Sequence, residues 1–235
     1  MRTCRRGSSR SEFSDDSAVG PQVKEIELAV GSRITRWLIK QIARVGISVD
    51  VFLVTREGRS PSAERITVDS RFTAAFAGPE DIPELVRVEP STDPLVCAQR
   101  FRGGFLCFAI KSDGRIVAKM WCDLEECNDP GYRRPLTHRE AYLFSAYTDP
   151  AARGQNLAPF LRQQFYLALR ALGRDSIFSC TDYFNIAARR FKQKIGAEDE
   201  ALYLNVTVMG RFSRRFTLRR YQLRDLPDLI SIAST

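Results

Sequence analysis

Short runs of alternating apolar and polar residues are interleaved along this chain with stretches whose apolar positions recur every three to four residues. Ile47–Val54 alternates in part and predicts a strand. Arg71–Phe76 predicts a second. Phe105–Ile110 and Arg115–Trp121 predict two more, joined by Lys111-Ser112-Asp113-Gly114, in which Asp-Gly is a strong hairpin signal. Tyr142–Tyr147 and Ser176–Thr181 read as further strands, and Leu202 to Tyr221 as a closing hairpin. Helical periodicity is carried by Ile34, Trp37, Leu38 and Ile42 within Ser32–Arg44. Pro79, Glu80 and Asp81 suit a helix start before Ile82–Val86, and Asp93 to Arg102 predicts the next helix. A long helix follows Leu157. In Asn185–Ala197 the residues Ala188, Phe191 and Ile195 form one stripe, with Asn185 as N-cap and Gly196 as the terminating residue. From Arg71 onward the order is β-α-α-β-β, then β-α-β-α and a hairpin: an α/β chain of the α+β kind.

Punctuation divides the chain. Residues 1–23 are polar, rich in Ser, Arg and Asp, and predict a flexible tail. Residues 24–66 predict a helix–strand extension outside the core, closed by the Ser/Pro/Gly-containing link Glu57–Ser62; 67–225 form the main domain and 226–235 a C-terminal tail. A chain of 235 residues buries roughly 70% of its unfolded surface, so the core needs no disulfides. No apolar run approaches the ~20 residues of a membrane span. The first ten residues are charged without an apolar run behind them, so no secretory signal is expected. The six cysteines lack paired spacing and accompany a single histidine, which argues against a metal site. Cys97, Cys107 and Cys180 sit in apolar surroundings and read as core thiols of a cytoplasmic protein. The net charge of +8 could suggest nucleic acid, but the arginines are spread out and no helix-turn-helix, zinc-finger or RNP signature is present. Nucleic acid is therefore not the expected partner. A strand with a basic solvent face accounts for Arg211–Tyr221, and an anionic ligand would account for the balance as well.

The most informative segment is the turn after Tyr142–Tyr147. Thr148-Asp149-Pro150-Ala151-Ala152-Arg153-Gly154-Gln155-Asn156-Leu157-Ala158 delivers a glycine-containing turn to a helix start. Unpaired backbone N–H groups and the positive helix end there suit phosphate oxygens. The turn resembles motif A of the GNAT superfamily of acyl-CoA-dependent N-acyltransferases, Gln/Arg-x-x-Gly-x-Gly/Ala: Arg153 and Ala158 fit, with Pro150 before them. Asn156 stands where the middle glycine belongs; Asn tolerates left-handed backbone, but its side chain crowds an approaching phosphate. Asn185–Ala197 is similar to the motif B helix, at the interval the family uses.

The resemblance covers about two-thirds of the chain. It implies the GNAT fold, a mixed, mostly antiparallel central sheet flanked by helices, with an N-terminal extension. It further implies acetyl-CoA, or another acyl-CoA, as co-substrate and a primary amine as acceptor. Ala146, Tyr147, Thr148, Arg153, Gly154, Gln155, Asn156, Leu157, Ala158 and Asn185 would hold the co-substrate. Glu140, thirteen residues before Arg153 as in the histone-acetyltransferase branch, would be the base, and Tyr183 the acid. His138 reads as an exposed bystander, and Asp123, Glu125 and Glu126 could hold a cationic acceptor. Lys192 stands where many members carry a tyrosine and reads as a surface residue. The alternative is a GNAT-fold module that binds acyl-CoA or a partner without turnover. The extension leaves a homodimer open.

Overall fold

The computed structural model describes residues 37, 41, 43, 44, 46–58, 66–129 and 131–223. Of the helix expected over Ser32–Arg44, Trp37, Gln41 and Ala43 are helical; its other apolar positions and both expected tails lie outside the described residues. The chain divides into units 1–45 and 46–235.

The second unit holds an eight-stranded sheet. In chain order its elements are β1 (Ile47–Glu57), β2 (Thr73–Ala77), α1 (Ile82–Val88), α2 (Pro94–Arg102), β3 (Leu106–Ser112) and β4 (Arg115–Asp123). There follow β5 (Glu126–Asp129), β6 (Tyr132–Pro135), β7 (Glu140–Thr148), α3 (Leu157–Ala171), β8 (Ser176–Asp182), α4 (Ile186–Lys194), β9 (Glu198–Val208) and β10 (Phe212–Arg220). The spatial order is β10-β9-β1-β8-β7-β4-β3-β2, with β5 and β6 paired apart. Among the described residues β7–β8 is the parallel pair, and the other pairs are antiparallel. The sheet is mixed and mostly antiparallel, as expected.

Alternation sets the layers, because successive strand residues face opposite sides. On β3, Cys107 and Ala109 meet Leu85, Val88 and Cys97 of α1 and α2, while Phe108 and Ile110 meet Leu161, Phe165 and Leu169 of α3. Phe108 and Phe165 stack with ring centroids 4.7 Å apart. The hairpin β5–β6 lies on the α1–α2 side of the sheet further along, where Cys127 and Tyr132 pack on Phe52, Val54, Tyr142 and Phe178.

Two features depart from the sequence reading. The strand assigned to an extension outside the core is a central one: β1 pairs with β8 through Phe52–Asp182 to Glu57–Ile177, and with β9 along its other edge. Alternation identifies a strand but carries no information about its partners, so a position remote in sequence was misplaced. Glu57, assigned to the link, is the buried last residue of β1. The β5–β6 hairpin lies between β4 and β7 in the chain, where the sequence reading placed no strand. Asp123 starts it, its carboxylate accepting from the N–H groups of Glu125 and Glu126 at 2.8 and 3.1 Å.

Candidate functional site

The parallel pairing of β7 with β8 runs from Glu140–Ser176 to Leu143–Ser179 and stops. Beyond it β8 continues against β1, and β7 continues against β4 as far as Thr148–Ala118. The sheet is therefore split, and Phe144–Thr148 keep one strand neighbour instead of two. A bulge sharpens the divergence. Phe144 faces Trp121 and Tyr147 faces Lys119, so Ser145 and Ala146 together oppose Met120, and Ser145 has φ +50°.

A groove of about 440 Å³ lies along this split. Its walls are Ala146–Thr148 of β7, Ala152–Gly154 of the turn, Asn156–Pro159 at the start of α3, and Phe191 and Lys194 of α4. The turn is built locally. Asp149 caps it by accepting from the Ala151 N–H at 2.9 Å, and Pro150–Ala152 form a single 3-10 turn. Gly154 has φ +84°, where a side chain would be strained, and a β-carbon placed there would meet no atom within 4 Å. Asn156 is the N-cap of α3 at φ 57°, ψ 20°, the left-handed conformation that Asn reaches more readily than most residues. Its substitution for the motif's middle glycine is thus met by the backbone.

The hydrogen-bond accounting at this turn is incomplete. The Arg153 N–H bonds the Pro150 carbonyl at 3.4 Å, and the Phe160 N–H bonds the Asn156 carbonyl at 3.1 Å. Between them the N–H groups of Gly154, Gln155, Asn156, Leu157 and Ala158 have no acceptor among the described residues, and Pro159 contributes none. Consecutive unpaired donors at a helix N-terminus form an anion cradle. Arg153 and Lys194, both exposed, add positive charge at its rim. The open space over Gly154, the free donors and the cationic rim fit the phosphates of a coenzyme A.

Most of the expected binding residues come together here: Ala146, Tyr147, Thr148, Arg153, Gly154, Asn156, Leu157 and Ala158 all line the groove. Two do not. Gln155 turns its side chain to Arg71, whose guanidinium donates to it at 2.8 Å. Asn185 caps α4, accepting from the Ala188 N–H at 3.1 Å. Phe191 and Lys194 were missed; the apolar stripe through Phe191 reads equally as a core face, and nothing in the spacing marks the turn of helix that is left over a gap.

The expected catalytic residues stand elsewhere. Glu140 opens β7 at the end away from the groove, about 20 Å from Ala146 at the ~3.3 Å rise of a strand. Arg134 holds both its oxygens at 2.7 and 2.8 Å, Arg56 lies 3.4 Å away, and the Thr137 N–H donates at 3.1 Å. Hydrogen bonding by Arg134 draws its pKa from 4.5 to about 2. Such a carboxylate is a weak proton acceptor near neutral pH. Tyr183 follows β8; its N–H bonds the Val51 carbonyl at 2.8 Å, and the Arg189 guanidinium sits 4.3 Å above its ring. It does not line the groove.

Lys192, expected at the surface, is buried, with Nζ 2.8 Å from Thr55 Oγ1 and 3.8 Å from Glu57. The carboxylate that draws it inward, Glu57, belongs to β1, remote in sequence. His138 is exposed, Asp123 is occupied in its turn, and Glu126 pairs with Arg133 at 2.8 Å. Among the described residues no group of three or more His, Cys, Asp and Glu could hold a metal ion, and no helix is long and apolar enough to cross a membrane.

The model of the acetyltransferase (GNAT) family matches residues 75–197, just over half the chain. Solved structures resemble it at low identity. A GNAT-family chain from Novosphingobium aromaticivorans is 20% identical over 69% of this chain and 66% of that one, with a TM-score of 0.49. An acetyltransferase of the GNAT family from Colwellia psychrerythraea is 14% identical over 74% of this chain and 57% of that one, at a TM-score of 0.51. A Drosophila protein is 13% identical over 79% and 59%, at 0.52. The chain thus spans less than two thirds of the length of these structures. No curated protein matches the sequence.

Proposed function

The chain belongs to the GNAT acetyltransferase family, and from that premise we propose that it is an acyl-CoA-dependent N-acyltransferase that moves an acetyl group from acetyl-CoA to a primary amine. One observation carries the reading: the turn with the unpaired N–H groups of Gly154–Ala158 borders a groove that is also lined by Ala146–Thr148, the part of β7 beyond its last pair with β8. The turn would hold the pyrophosphate and the freed edge of β7 the rest of the chain. Bound acyl-CoA supplies an activated acyl group as its thioester. The backbone N–H groups on the free edge of Phe144–Thr148 would polarise the acyl carbonyl.

The groove lining contains no carboxylate. The amine would therefore react from its neutral form, losing its proton to water, and turnover would follow the acceptor's own pKa. The described cysteines, Cys97, Cys107, Cys122, Cys127 and Cys180, are all free, which suits a cytoplasmic enzyme. The missing carboxylate also favours a second reading, a module that binds acyl-CoA without turnover.

Calorimetric titration with acetyl-CoA and desulfo-CoA tests the proposal. The wild type should bind both. Gly154→Glu, which strains a φ of +84° and puts a negative side chain over the cradle, should abolish binding while leaving the fold intact. Absence of binding by the wild type near 1 mM would overturn both readings. Binding without acetylation of any amine in a panel would favour the module.

A further inference from the structure

The face of the sheet opposite α3 carries a cation with no counterpart. Arg100, in the last turn of α2, is half-buried, with its guanidinium carbon 5.1 Å from the Trp121 ring and 5.1 Å from the Phe144 ring. It has neither an ion pair nor a side-chain hydrogen bond among the described residues. Most other sheltered arginines are matched: Arg56 by Glu200, Arg87 by Glu84, Arg134 by Glu140, Arg162 by Glu57, and Arg174 by the carbonyls of Leu124, Thr137 and Glu140, while Arg189 donates to the Tyr183 carbonyl at 3.3 Å and leaves its Nε without an acceptor among the described residues. The nearest candidate, Glu89, is taken by Lys119 at 2.6 Å. Burial accordingly pushes the pKa of Arg100 down. A donor nearby is orphaned, since the wholly buried indole N–H of Trp121 has no acceptor among the described residues. Buried donors in native proteins are nearly always paired, so this orphaned indole N–H beside an unmatched, half-buried cation calls for an explanation.

Position supplies one. Phe144 is the first residue of β7 beyond the last β8 pair, and it packs with Tyr147 on the α1–α2 side. Arg100 therefore stands over the point where the sheet splits, on the face away from the α3 helix. Both rings lie 5.1 Å from the guanidinium carbon, and its N–H groups meet no acceptor among the described residues, the donors that a planar carboxylate engages in bidentate fashion.

We infer that Arg100 is a specificity determinant that binds a carboxylate carried by the amine acceptor, so that the substrate class is an amino acid or another amine with a nearby carboxylate. The inference rests on the acyltransfer reading for the term "acceptor", but the anion site itself does not depend on turnover. Aromatic stacking holds the guanidinium in place, and the acceptor's carboxylate supplies the charge that the protein leaves unmatched.

The test compares N-acetylated amino acids with the N-acetylated amines that lack the carboxylate, titrated calorimetrically into the full chain with and without CoA. Arg100→Met keeps a flexible stem against the rings and removes the charge; Arg100→Lys keeps the charge and loses the fork. Hydrogen bonds to charged groups contribute about 1.5–3 kcal/mol, so the wild type should favour the carboxylates by about 10- to 100-fold. Arg100→Met should erase that preference, and Arg100→Lys should recover part of it. In acetyl-transfer assays KM for carboxylate-bearing amines should rise by a similar factor in Arg100→Met, with kcat and the neutral amines little changed. Equal binding of both series by the wild type, or an equal loss on neutral amines in the variant, would overturn the inference. Failure to bind acetyl-CoA would sink the acyltransferase and module readings but not the anion site, because the carboxylate titration without CoA still decides Arg100.

Discussion

At the scale of single residues, an ion pair can occupy the position where a base is expected. Glu140 is held by Arg134 through two short hydrogen bonds and flanked by Arg56, and these lower its pKa from 4.5 to about 2. A carboxylate that weakly basic accepts protons poorly near neutrality, and the groove begins at the far end of the same strand. Its contribution is to stability, and the sign is fixed by the shift. A carboxylate with a depressed folded pKa stabilises above its unfolded value of 4.5 and loses that contribution as pH falls towards about 2. Glu140→Gln should therefore leave kcat and its pH profile unchanged. It should lower stability at pH 7 by about 1.5–3 kcal/mol in urea unfolding, a gap that closes between pH 4.5 and 2. A collapse of turnover in a folded Glu140→Gln protein would return the proton-transfer role to this side chain.

At the scale of elements, what could be read from the sequence was what is fixed locally. The Asn185 cap, the Asp113-Gly114 hairpin turn and the strand–turn–helix at Gly154 are each set by neighbours within a few residues, and each forms as expected. Most of the groove was legible for the same reason, since β7, its turn and the start of α3 are contiguous. Partnership across the chain was not. Thr55 and Lys192 are 137 residues apart, and no periodicity announces that they will meet. The place of β1 is the largest such case: its own pattern says strand, while its position between β8 and β9 depends on two segments that follow more than a hundred residues later. Phe52 tests that position, because its ring lies 5.5 Å from Tyr203 of β9 and 5.8 Å from Tyr132 of β6 and is almost wholly buried. Phe52→Ala should cost about 3–5 kcal/mol of global stability by chemical denaturation, the range for truncating a core aromatic ring. A peripheral strand would instead tolerate the change with little effect on the main unfolding transition.

At the scale of the whole molecule, one buried charge cluster ties together the elements that frame the groove. Glu57 of β1 meets Arg162 and Tyr166 of α3, Ser179 of β8 and Lys192 of α4, all of them buried. One carboxylate faces two cations. Arg162 stays charged beside Glu57, and the excess falls on Lys192, whose pKa burial pushes from 10.5 down to about 8 against the pull of Glu57. The consequence for stability runs opposite to that of Glu140. Between pH 8 and 10.5 the unfolded chain keeps the Lys192 proton while the folded chain has released it, so stability rises with pH across that window. Below about 8 the penalty is fully present, and a shift of this size corresponds to about 3 kcal/mol at most. Lys192→Met removes the titrating group while leaving the Glu57–Arg162 pair in place. The variant should be the more stable protein at pH 7.5, and its margin in urea midpoint over the wild type should shrink steadily as pH is raised to 10.5. A margin that stays constant over that range would mean that Lys192 does not titrate there. A variant less stable than wild type at pH 7.5 would mean that its bond to Thr55 and its attraction to Glu57 outweigh the cost of burying the charge. The cluster would then be a net clamp on α3, α4, β8 and β1 rather than a strained one.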